Sequence, residues 1–173
     1  MRNLTLKAVE LKRTDTAWEL MIAQNFNHPQ EDVWLALTDR RQVVRWGPFA
    51  PDRDLDSPGP LCLTPINRPG AEAVSGEVLE VQAQQLLVMQ WGRDKLRWSL
   101  SSLPGGSACV LRHQFDDGKM ASSYAAGWHL CMEGLAGIVA GHDMPSMVGM
   151  EASRYGWDAL YAEYKERLSG LDE

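Results

Sequence analysis

Hydrophobic positions repeat along this chain with two periods, and the change from one to the other separates a strand-rich front from a helical end. Over residues 17–27, AWELMIAQNFN, Trp18, Leu20, Ile22 and Phe26 alternate with Glu19, Ala23 and Asn25, the period of two that marks a strand. His28-Pro29 ends it. Pro29 suits the first position of a helix, Glu31 and Asp32 place negative charge where the helix dipole favours it, and Val33, Trp34 and Leu37 supply a buried face. Asp39 with Gln42 three residues on resembles a capping box, predicting a second short helix that carries Val43 and Trp46 inward and stops at Gly47-Pro48. Residues 49–60, rich in proline, aspartate and glycine, read as a loop, and residues 1–15 as a loosely held lead-in.

Short strands then follow at regular spacing, over 61–64, 73–82, 85–91, 95–103 and 108–115. The tight connections at Gly92-Arg93-Asp94 and Pro104-Gly105-Gly106 imply antiparallel neighbours. Gly76 inside one strand predicts a bulge or a close approach of another backbone. Leu96, Trp98 and Leu100 share one face, as do Cys109, Leu111, His113 and Phe115, so both strands have one wet and one dry side.

The period changes at 122–141, SSYAAGWHLCMEGLAGIVAG. Tyr124, Trp128, Cys131, Met132, Leu135, Ile138 and Val139 form one helical stripe over about five turns. This helix is expected to lie across the sheet and close the core. Gly127, Gly134 and Gly137 inside it each cost about 0.8–1 kcal/mol relative to alanine. Either close approach by the final helix or a second subunit compensates for them, or the missing side chains enlarge a cavity. After Gly141 the segment HDMPSMVG breaks the chain, and a last amphipathic helix over about 151–168 shows Trp157, Leu160, Tyr161, Tyr164 and Leu168 on one face. The class is α+β. With no repeat or linker, residues 1–173 are expected to form a single domain with its core at about 17–141.

Composition changes this picture only by exclusion. A net charge of −6 and a pI near 5.2 argue against a nucleic-acid groove, which needs a basic face. Cys62, Cys109 and Cys131 are odd in number and lie in apolar runs, so they read as small buried hydrophobes in a reducing compartment. The opening residues carry no apolar signal core and no run is long enough to span a bilayer, which makes the cytoplasm the expected location and a membrane partner unexpected. Seven tryptophans are many for 173 residues; they build either a bulky core or an aromatic-lined pocket.

Candidate chemistry is sparse. None of His28, His113, His129 and His142 is spaced with Cys, Asp or Glu like a metal site, and no glycine-rich phosphate loop opens a helix. No catalytic residue, metal or cofactor is assigned. His129 and Glu133 fall outside the apolar stripe and are expected to form a solvent-side pair. His113 shares a face with Leu111 and Phe115; it is either a satisfied core histidine or a polar anchor facing a cavity.

Two stretches carry a family likeness: FNHPQEDVWLALTDRRQVVRWGP over 26–48, and LRHQFDDGKMASSYAAGWHLCMEGLAGIVAG over 111–141, with GEVLEV and a Gly-Gly turn between them. Their order resembles the SRPBCC (START-like) superfamily, in the branch named for homologues of the activator of the heat-shock chaperone ATPase. The resemblance implies a helix-grip fold, a curved antiparallel sheet wrapped around a long C-terminal helix, with two short helices after the first strand. It also implies a cavity for hydrophobic molecules between sheet and helix. Gln24 stands where many relatives have arginine, and the helix after Gly141 is additional to the minimal pattern. The expected function is binding of a small hydrophobic ligand, with Trp46, Trp91, Trp98, His113, Trp128, Met132 and Leu135 as lining candidates. A cyclase- or dehydratase-like enzyme using the same cavity, and a module that dimerises through its last helix, are the alternatives.

Overall fold

The computed structural model describes residues 6–169. Its eight strands are β1 (Val9–Arg13), β2 (Trp18–Phe26), β3 (Phe49–Pro51), β4 (Gly59–Pro65), β5 (Val74–Gln82), β6 (Leu86–Trp91), β7 (Asp94–Leu103) and β8 (Gly106–Phe115). They form one antiparallel sheet in the order β1-β2-β8-β7-β6-β5-β4-β3, so that β2, early in the chain, pairs with β8, the last strand. Helices α1 (Gln30–Thr38) and α2 (Arg40–Trp46) follow β2; α3 (Ala121–Val139) and α4 (Trp157–Leu168) follow the sheet. This is the helix-grip arrangement.

Register explains the dry face. Leu20 of β2 lies opposite His113 of β8, His113 opposite Leu96 of β7, and Leu96 opposite Met89 of β6. The neighbouring row runs Ile22, Leu111, Trp98 and Leu87. Alternation places both rows on one side of the sheet, where every member is buried. His113 is the one ionisable side chain in these two rows.

Several elements depart from the sequence reading. The lead-in is not loose from residue 9 onward: Val9–Arg13 pairs with β2 as an edge strand, the first five residues lying outside the described part. Phe49–Pro51 is a short edge strand on β4, where a loop is expected, and Phe49 is buried against Trp91. Pro29 flanks α1 as its N-cap, just outside the helix. Asp39 does cap α2, accepting from the Arg41 amide. Close approach is what requires Gly76, since a Cβ there would lie 2.6 Å from the Gln90 carbonyl; the bulge falls between Val78 and Glu80 instead. Cys62 is exposed on β4, while Cys109 and Cys131 are buried, and burial pushes the Cys109 thiol up to about 12.

The largest correction concerns α3. The stripe reading treats it as a helix with one dry face, yet Ala125, Ala126, Leu130, Gly134 and Gly137 are buried along with all of the stripe except half-buried Tyr124 and Val139. It is enclosed by the sheet on one side and by α1, α2 and α4 on others. His129 is therefore not on the solvent side but buried. Its Nδ1 hydrogen-bonds the Tyr164 hydroxyl of α4 at 2.7 Å, and that hydroxyl also accepts the Lys7 amide at 3.0 Å. Glu133, its expected partner, pairs instead with the Lys7 ammonium at 2.6 Å, and the same ammonium donates to Gln24 Oε1 at 2.5 Å. Tyr164 is fully buried, and Trp157 and Tyr161 stack on each other with centroids 5.1 Å apart.

Two of the three glycines inside α3 are packing devices. A Cβ at Gly134 would press on Trp46, and one at Gly137 would collide with Sδ and Cγ of Met144, in the segment after the helix. Neither neighbour belongs to α4 or to a second subunit. Gly127 meets nothing within 4 Å. It faces open space.

Candidate functional site

That space is a half-open cavity of about 110 Å³ between α3, the β6 end of the sheet and the segment joining α3 to α4. The helix contributes Ser123, Tyr124, Gly127, Trp128 and Cys131, at the i, i+3, i+4 spacing that keeps them on one face. Trp91 closes the sheet side. Met147, Val148 and Ala152 close the top, and Pro48 and Arg68 complete the rim. The wall is mostly apolar. Its polar part comes from exposed Arg68 and from the half-buried Ser123 and Tyr124.

Of the seven residues named from sequence, Trp91 and Trp128 line this cavity. Trp46, Trp98, Met132 and Leu135 are buried in the core beneath it. Trp98 meets both Trp46 and Trp128 edge-on, at 5.7 and 5.5 Å between centroids. Such T-shaped contacts are favourable because the positive edge of one ring meets the negative face of the next. The seven tryptophans thus do both jobs, some as core and some as wall.

His113 stands behind the wall. It is fully buried, and both ring nitrogens are occupied: Trp128 Nε1–H donates to Nδ1 at 3.0 Å, and Nε2 lies 2.7 Å from Asp94 Oδ2. An indole N–H can only donate, so Nδ1 must present its lone pair and the proton sits on Nε2, donated to Asp94. Neither nitrogen is left for a ligand. The network therefore fixes the rotamer of Trp128, whose other face forms the cavity wall. Tyr124 packs on the same imidazole with centroids 4.4 Å apart. Burial, then the carboxylates of Asp94 and Asp117 and a hydrogen bond toward Asp94, push its phenol pKa up against the opposing pull of Arg68, so the hydroxyl stays protonated.

Asp94, Tyr124, Gly127, Arg68 and the top-closing residues were not among the sequence candidates. Asp94 opens β7, 19 residues before His113 in the chain. Tyr124 was visible as part of the helical stripe, and Gly127 as an unexplained helix glycine. Among the described residues no three His, Cys, Asp or Glu side chains come together as a metal-holding group, and no helix is long and apolar enough to cross a membrane.

A sheet curved around a long helix, with a small cavity between them, defines a protein of the SRPBCC superfamily. The sequence profile described as Activator of Hsp90 ATPase homolog 1-like protein matches residues 27–140, and the chain belongs to that family. Among solved structures, the crystal structure of CalU16 from Micromonospora echinospora is 19% identical, with a TM-score of 0.71 over 96% of this chain and 98% of that one. A conserved protein of unknown function from Enterococcus faecalis is 13% identical, with a TM-score of 0.74 over 95% of this chain and 92% of that one. DynU16, from the dynemicin biosynthetic locus, is 17% identical with a TM-score of 0.66, covering 79% of this chain and 52% of its own. No functionally curated protein matches the chain significantly.

Proposed function

We propose that this protein binds a small, predominantly apolar molecule in the cavity between α3 and the sheet, without acting on it chemically. The observation that carries this reading is Gly127. An interior helix glycine costs about 0.8–1 kcal/mol relative to alanine, and nothing within 4 Å of its Cβ position gives a packing reason for it. What an alanine there would do is narrow the cavity beside Trp128 and Tyr124. Trp91 and Trp128 would provide burial, and the Tyr124 hydroxyl, Ser123 or Arg68 would orient one polar group.

The cyclase or dehydratase alternative asks for a histidine or carboxylate aimed into the cavity. His113 is committed on both nitrogens and His129 lies on the other side of α3, bonded to Tyr164. Binding is therefore the better-supported reading. A homodimer through the last helix has less to draw on, because Tyr164 faces inward.

Gly127→Ala separates binding from a purely structural account, since the two effects have opposite signs. The variant is expected to be more stable by about 1 kcal/mol, read as a rise in denaturant midpoint at constant slope. It should at the same time bind small aromatic probes such as indole several-fold more weakly than wild type, by calorimetry. A variant that is more stable and binds equally well would remove the support for this site.

A further inference from the structure

The top of the cavity is made by a segment that lies past the end of the matched family profile. The matched profile ends at residue 140, and Met147, Val148 and Ala152 all come after it. This segment runs from Gly141 to Gly156, and both of these glycines adopt left-handed backbone, with φ of 83° and 94°. No Cβ at either would touch a neighbour, so they serve as swivels rather than as close-packing points. Between them the chain has no helix until the 3-10 turn Gly149–Tyr155.

What holds the segment down is concentrated on one residue of the β4–β5 turn. Asn67 Nδ2 donates to Ser146 Oγ and to the Val148 carbonyl, both at 3.1 Å, and the Asn67 carbonyl accepts the Met150 amide at 3.0 Å. Gly149, with φ of 60°, lets the strap press against that turn: a Cβ there would lie 2.5 Å from the Ile66 carbonyl. Asn67 itself is held at φ 55°, a conformation asparagine tolerates better than most residues. The remaining attachment is apolar, through Met144 seated on Gly137 and Met147 near Gly134.

Size makes this arrangement functional. A cavity of about 150 Å³ holds benzene, and most ligand pockets run to roughly 300–1,000 Å³. With the segment seated, the pocket measures about 110 Å³ and stays open to solvent on one side, so a ring the size of indole is held only in part until the segment moves.

We propose that residues 141–156 form a hinged cap, latched by Asn67, whose release admits the ligand and whose Met147, Val148 and Ala152 limit its size. The proposal rests on the ligand-binding reading above. Asn67 is a positioning residue: it touches the cap and not the ligand.

The test uses Asn67→Gly, which keeps the positive φ while removing both side-chain bonds, and Gly137→Ala, which displaces Met144. Amide hydrogen exchange reports the cap directly, and stopped-flow fluorescence with 1-anilinonaphthalene-8-sulfonate, a probe too large for the cavity with the cap seated, reports access. Asn67→Gly is expected to speed exchange at about 142–152 by roughly tenfold while leaving α3 and the sheet unchanged, and to raise the association rate of the dye several-fold. Gly137→Ala should act in the same direction. Unchanged cap exchange in both variants would overturn the latch, and faster exchange with an unchanged association rate would overturn its role in access. Faster exchange with neither indole nor the dye bound by any form would overturn the ligand reading while leaving the latch standing.

Discussion

Trp128→Ala is expected to destabilise the protein by about 3–5 kcal/mol, the range for deleting a buried large aromatic side chain. The indole is buried, packs edge-on against Trp98 and Trp91, and makes the one hydrogen bond that His113 Nδ1 receives. Truncation removes the burial and leaves a buried nitrogen without a donor, a second penalty of about 1–3 kcal/mol where water does not reach it. Trp128→Phe separates the two contributions: the ring's packing is largely retained and the N–H is lost, so a cost of about 1–3 kcal/mol is expected. Equilibrium denaturation of both variants checks this. A loss below about 1 kcal/mol for Trp128→Ala would mean that the wall collapses to fill the space, and that the network does not hold it open.

The second large effect is a loss of stability in mild acid. His129 is held unprotonated, its pKa lowered from 6.5 to about 4 by burial and then by the Lys7 ammonium, with Glu133 opposing. The unfolded chain therefore takes up a proton on this residue at a pH where the folded protein does not. Its contribution to stability is complete above about 6.5 and is lost progressively as pH falls from there toward 4. Discounted for solvent at the edge of the ring, the loss is about 2 kcal/mol over that window. Below it the folded protein would have to carry an imidazolium buried beside the Lys7 ammonium. His129→Gln removes the titrating group and should flatten this part of the stability profile. A profile equally steep in the variant would assign the acid sensitivity to the carboxylates.

How much of this was legible in the sequence depends on the range of the interactions involved. The strands of the meander and the long helix were readable because their burial repeats with the local periods of two and 3.6. Two short edge strands were not, since β1 and β3 owe their conformation to pairing with β2 and β4 rather than to patterns of their own. His129 was misplaced for a definable reason. Ala125, Ala126 and Leu130 form a second apolar face, but alanine is a weak hydrophobic signal, so the helix looked one-sided when it is enclosed. At the candidate site, Trp91 and Trp128 were named because large aromatic residues stand out. Asp94 and Asn67 were missed because each acts through a partner far away in the chain, Asp94 on His113 and Asn67 on the segment after α3. The glycines of α3 were recognised as costly, yet only their neighbours distinguish Gly134 and Gly137, which make room for Trp46 and Met144, from Gly127, which borders the cavity.

The most direct test of the central claim is an NMR titration of the wild-type protein with indole. If the cavity is a binding site, the amide of Gly127 and the indole N–H signals of Trp91 and Trp128 shift together and saturate on one curve. His129 and Tyr164, on the opposite side of α3, should stay in place. Shifts that fail to saturate, or that saturate at residues away from this wall, would contradict it.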